Sequence, residues 1–184
     1  ALTDYRHCIM IDPYFAEAYL NLGTIQAKMG DRTQAIQTYT HLLTMRPDYA
    51  LAYNNRAYEY ALADDLSSAL DDTNMGLQIA PSYASLYATR GVIYYLLTRY
   101  AEAVTDFEQA IRRRGNFHFA QIGLALSYYA LGNAINREES LHIWHTLLKE
   151  HPRFQDVEWI MQAYSLPEAM RPHICEIIRM IAIR

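Results

Sequence analysis

Asn21 and Asn55 stand 34 residues apart, and an asparagine amide offers both a donor and an acceptor, the complement of one peptide unit. The same amide can instead close hydrogen bonds within its own structural unit, and both readings stay open. Glu138, His142 and His145 fall on one face of a helix and have the ligand types of a weak divalent-metal site. A solvated helix surface explains them more simply, so no metal and no cofactor is expected. The other histidines are scattered. No Cys–His, Ser–His–Asp or paired-carboxylate spacing appears, and neither G-x-x-x-x-G-K-[ST] nor G-x-G-x-x-G occurs. The chain reads as non-catalytic. Arg112, Arg113 and Arg114, with Arg99, have the charge to receive an acidic group, but a helix C-terminus favours cations anyway. Asp64, Asp65, Asp71 and Asp72 read as a solvated face.

The elements that would position these side chains show themselves by period. Prolines stand at 13, 47 and 81, and alanines at 1, 35, 69 and 103, every step being 34. A fixed period of this length marks stacked repeats of one supersecondary unit. With Ala35 set as position 20, the units run 16–49, 50–83 and 84–117. Position 4 is then Tyr19, Tyr53 and Tyr87, position 8 is Gly23, Ala57 and Gly91, and position 24 is Tyr39, Thr73 and Phe107. Positions 4, 8 and 11 share one face of a first helix, and 20, 24 and 27 share one face of a second. Small residues at 8 and 20 let the helices approach, the rings fill the space around them, and proline at 32 stops the second helix.

A fourth unit, 118–152, fits only with three extra residues, placed at Asn133–Asn136 as a longer turn between its helices. Residues 1–15 read as the second helix of a preceding unit, so the chain is expected to be a piece of a longer protein. Residues 153–184 read as two closing helices broken at Ser165-Leu166-Pro167. The isoleucines at 174, 177, 178, 181 and 183 make the last one apolar, suited either to fold back on the fourth unit or to meet a partner.

This pattern resembles the tetratricopeptide repeat (TPR) family. The resemblance implies an all-α fold, a right-handed superhelical α-solenoid of helix-turn-helix repeats with C-terminal closing helices. It also implies a concave groove lined by the first helix of each repeat, which binds a peptide or amphipathic helix. Mapped onto this chain, the groove would use Glu17, Asn21 and Thr24, then Asn54, Asn55 and Tyr58, then Ser85, Thr89 and Tyr95, and finally Phe119, Ile122 and Tyr129. Asn21 and Asn55 would begin an asparagine ladder that stops at Thr89 and Gly123. The family's clamp for chaperone tails would need Lys, Asn, Asn, Lys and Arg where this chain has Leu20, Thr24, Asn55, Ser85 and Thr89, so that mode is not expected.

Composition agrees with an interaction protein. Hydrophobic residues are 52% of the 184, with 16 tyrosines whose rings pack and whose hydroxyls reach water or ligand. A net charge of −4 argues against phosphate-driven nucleic-acid binding, and RNA binding by a helical repeat is the least favoured reading. Self-assembly through the terminal helices is the main alternative to a peptide or protein partner of other sequence. No apolar run spans a membrane. Cys8 and Cys175 read as buried thiols of a reducing compartment, which places the protein in the cytoplasm.

Overall fold

The computed structural model describes residues 2–183; Ala1, the first alanine of the register, and Arg184 lie outside them. The described residues form helices and turns without strands. The helices are α1 (Leu2–Ile11), α2 (Ala16–Lys28), α3 (Arg32–Met45), α4 (Ala50–Leu62), α5 (Leu66–Ile79) and α6 (Ala84–Leu96). There follow α7 (Tyr100–Arg113), α8 (His118–Leu131), α9 (Ala134–Glu150), α10 (Val157–Tyr164) and α11 (Arg171–Ala182). Short 3-10 turns occupy Pro152–Gln155 and Glu168–Met170.

The turns carry the 34-residue period in their backbone. Position 15 is left-handed in all four units, with φ of 81° at Gly30, 64° at Asp64, 58° at Thr98 and 78° at Gly132. Glycine adopts this conformation freely, whereas a β-branched threonine is strained there. The next residue caps the second helix: Asp31, Asp65 and Asn133 accept from the backbone N–H three residues on, at 3.3, 3.2 and 2.9 Å. Arg99, at the same register, makes no side-chain cap. Pro13, Pro47, Pro81 and Pro152 each follow a helix end by two residues, as their missing N–H requires.

The three extra residues of the fourth unit do not lengthen its turn. Between α8 and α9 only Gly132 and Asn133 intervene, whereas α9 has 17 residues and α3, α5 and α7 have 14 each. Asn133 caps at the start of the inserted stretch, so the backbone winds those residues into helix instead of leaving them as loop.

Residues group into two compact units, Ala1–Thr89 and Arg90–Arg184. In the first, the Tyr39 ring lies against Gly23, where an added Cβ would fall 2.6 Å from the ring, and Leu86 lies as closely on Gly76. Ala16, Leu42, Leu43 and Ala52 form a core flanked by Tyr19, Leu20 and Tyr53. In the second, the Phe107 ring is held between Gly91 and Gly123. There the end of α9 is closed by an aromatic cluster. Trp144 Nε1 donates to the Phe154 carbonyl at 3.1 Å, and Phe154 meets His118, Trp159 and Tyr164.

Paired charges lock the helices of both units. The Arg56 guanidinium donates twice to Asp72, at 2.7 Å each, and Arg90 donates to Asp106 at 2.7 and 3.0 Å. Asp72 is only 6% exposed, so it is not part of the solvated face expected of the acidic run; Asp64, Asp65 and Asp71 are exposed. Cys8 and Cys175 are free and half-buried, more accessible than the buried thiols expected.

Candidate functional site

Four of the expected groove residues come together in the first unit. Thr24, Asn54, Asn55 and Tyr58 line an open cavity of about 190 Å³ with Ala27, Lys28, Tyr39 and Glu59. The side chains around it form one polar chain. Thr24 Oγ1 donates to the Leu20 carbonyl at 2.9 Å and lies 3.2 Å from the Tyr39 hydroxyl. The Asn55 amide lies beside that same hydroxyl and eases its ionisation. Asn54 Nδ2 donates to Asn55 Oδ1 at 3.3 Å, and Asn54 Oδ1 accepts from Thr89 Oγ1 at 2.9 Å. The amides are therefore oriented by the repeats themselves. By these bonds each asparagine still has at least one N–H and one lone pair to offer.

Asn55 thus bonds within the repeats and also borders the cavity. Its register position faces the ring at position 24 of the preceding unit, as Asn55 meets Tyr39. Gly123 occupies the same position in the fourth unit and lies under Phe107, so it belongs to the core and not to a groove wall. Glu17 and Asn21 are exposed on α2, and Ser85 is half-buried on α6; none of these lines the cavity. Thr89 is buried and engaged with Asn54.

The site's floor is acidic, with Glu59 buried. Burial pushes the Glu59 carboxyl above its ordinary value, against the pull of Arg32, whose Nε lies 3.3 Å away. Burial raises the Tyr58 hydroxyl strongly, with Glu59 adding to the effect. Tyr39 is also raised by burial, Thr24 and Asn55 beside it opposing the shift. These hydroxyls act as neutral donors and acceptors at physiological pH.

The second unit differs from expectation. Tyr95 is 3% exposed and Ile122 fully buried, so neither is an open anchor. The closing helix α11 covers this face. The Tyr95 hydroxyl lies 2.5 Å from His173 Nδ1, the rings of Tyr95 and Tyr129 both meet the His173 imidazole, and the neighbouring Glu176 carboxylate helps burial to raise the Tyr129 hydroxyl. Of the two fates left open for the Ile-rich helix, folding back on the fourth unit is the one observed. Phe119 is half-buried and stacks on Phe117.

Sequence reasoning missed Tyr39, Glu59 and His173 as members of these clusters. Position 24 reads as packing alone, although the Tyr39 hydroxyl lies at the end of a buried ring and needs a partner. His173 gives no periodic signal. The basic run at α7 is as expected a helix end: Arg112 pairs with Glu108, and Arg114 lies over the Phe117 ring. Among the described residues no group of three or more His, Cys, Asp or Glu is placed to hold a metal, and no helix is long and apolar enough to cross a membrane.

Family models described as tetratricopeptide repeat match residues 16–49 and 84–117. Among solved structures, a thermophilic TPR protein of Thermus thermophilus is 21% identical with a TM-score of 0.74, over 96% of this chain and 88% of that one. YrrB, a TPR protein with an unusual peptide-binding site, is 15% identical with a TM-score of 0.67, over 97% and 92%. The first TPR of Spaghetti (RPAP3), solved with the HSP90 peptide SRMEEVD, is 26% identical with a TM-score of 0.61, over 64% and 94%. No curated protein matches the chain in sequence.

Proposed function

The chain belongs to the tetratricopeptide-repeat family, a family of interaction scaffolds, and from that premise we propose that its first unit holds an extended peptide along α2, α4 and the start of α6. The observation that carries this reading is the oriented pair Asn54–Asn55 at the edge of an open cavity. Their remaining donors and acceptors pair with a peptide backbone, and Tyr58 with the aliphatic stem of Lys28 supplies apolar contact. Two of the related structures are described by their peptide sites or peptides, which supports peptide recognition as the kind of function. The chaperone-tail clamp is not the mode, because Leu20, Thr24, Ser85 and Thr89 replace its charged and amide groups. No bond is made or broken in this reading, and no cofactor takes part.

Selection of peptides displayed as a random library on the full chain tests the reading. Enriched sequences that bind in solution and are displaced by one another support a single groove. A failure to enrich any peptide above background contradicts it.

A second reading is self-association, favoured by exposed apolar residues at the end of α1 and in the turn before α2. Met10 is 78% exposed and Tyr14 81%, with Ile11 and Phe15 beside them. Light scattering over a range of protein concentrations separates the readings, since a strict monomer removes the second.

A further inference from the structure

The second unit has the groove positions of a repeat but no open groove, because α11 lies across them. In the first unit the position 9 residues, Thr24 and Tyr58, are half-exposed, whereas Val92 and Leu126 at the same register are buried. Helix α11 packs on α8 and α9, beside the cluster of His151, Phe154, Trp159 and Tyr164 that closes the end of α9. Its C-terminal half borders a partly open cavity of about 330 Å³ lined by Leu148, Gln155, Ile178, Ile181 and Ala182. It joins α10 through Ser165, left-handed at φ 50°, and Pro167, a short connection that can act as a hinge.

We propose that α11 is an internal ligand of the second unit, and that its own side chains spell out the partner that would replace it. The seated face has Met170, Ile174 and Ile177, all buried, at i, i+4 and i+7. Between them His173 meets the Tyr95 hydroxyl and Glu176 the Tyr129 hydroxyl. The matching partner is an amphipathic helix with aliphatic residues at i, i+4 and i+7 and hydrogen-bonding side chains at i+3 and i+6. A partner of this kind binds only as α11 leaves, so its apparent affinity falls with the fraction of chains in which the face is open. This inference is independent of the peptide site in the first unit.

Native-state hydrogen exchange on the full chain tests whether α11 opens alone. Its amides are expected to exchange about tenfold faster or more than the core amides of α8 and α9. Equal protection would make α11 part of one cooperative core and overturn the proposal. The second arm adds a labelled peptide of residues 166–183 to the wild type and to Ile174→Glu, a variant that expels α11. The peptide is expected to bind the variant about tenfold or more tightly than the wild type. Unchanged binding, or loss of the α8 and α9 helices in the variant, overturns the proposal.

Discussion

Asn54 Oδ1 accepts a hydrogen bond from the Thr89 hydroxyl at 2.9 Å, across 35 positions of sequence and from one repeat to the next. Thr89 is buried, so this amide is its route to satisfaction. Removing one partner from such a pair strands the other. Asn54→Ala is expected to cost about 1–3 kcal/mol in urea unfolding, and Asn54→Ala with Thr89→Val less than that single change.

The buried Arg56–Asp72 pair predicts a sharp contrast between neighbours in sequence. Asp72→Ala leaves the guanidinium without its bidentate partner and is expected to destabilise by about 3–5 kcal/mol. Asp71→Ala, at an exposed position, is expected to change stability by less than about 0.5 kcal/mol. Guanidinium unfolding midpoints of the two variants decide it.

Gly123→Ala would place a Cβ 2.2 Å from the Phe107 ring. The clash is with a fully buried ring also flanked by Gly91, so it cannot swing aside. A loss of about 1–3 kcal/mol is expected by thermal or chemical unfolding, with part of it recovered when Phe107→Leu is added.

Glu59 gives the first unit a pH dependence of definite sign. Its folded carboxyl is raised above 4.5 chiefly by burial, so its contribution is most favourable below that value and is lost as pH rises through the folded pKa. Glu59→Gln is therefore expected to be more stable relative to wild type at pH 7 than at pH 4. Unfolding midpoints of both proteins across that range check the crossing trend.

Much of the fold could be read from spacing alone, because each repeat buries the same positions. Ala35, Ala69 and Ala103 are all fully buried, and Tyr39 and Phe107 lie on glycines as position 24 requires. The ion pairs are harder to see. Arg56 and Arg90, like Asp72 and Asp106, repeat at 34, but an aspartate inside an acidic run reads as solvated until the facing helix is placed. The three extra residues can be counted from the spacing but extend a helix and not the turn, since Asn133 is a capping residue that marks where helix resumes. The site is legible as positions on α2 and α4. Its closure in the second unit is not, since nothing in the spacing of His173 says that it meets Tyr95.

The central claim is that Asn55 contacts the bound peptide and does more than brace the repeat. Fluorescence polarisation with a peptide selected on the full chain, compared between wild type and Asn55→Ala, tests it most directly. The account predicts affinity about tenfold weaker with helical circular dichroism unchanged, the loss of one well-placed amide. Equal affinity in a variant that remains folded would contradict it.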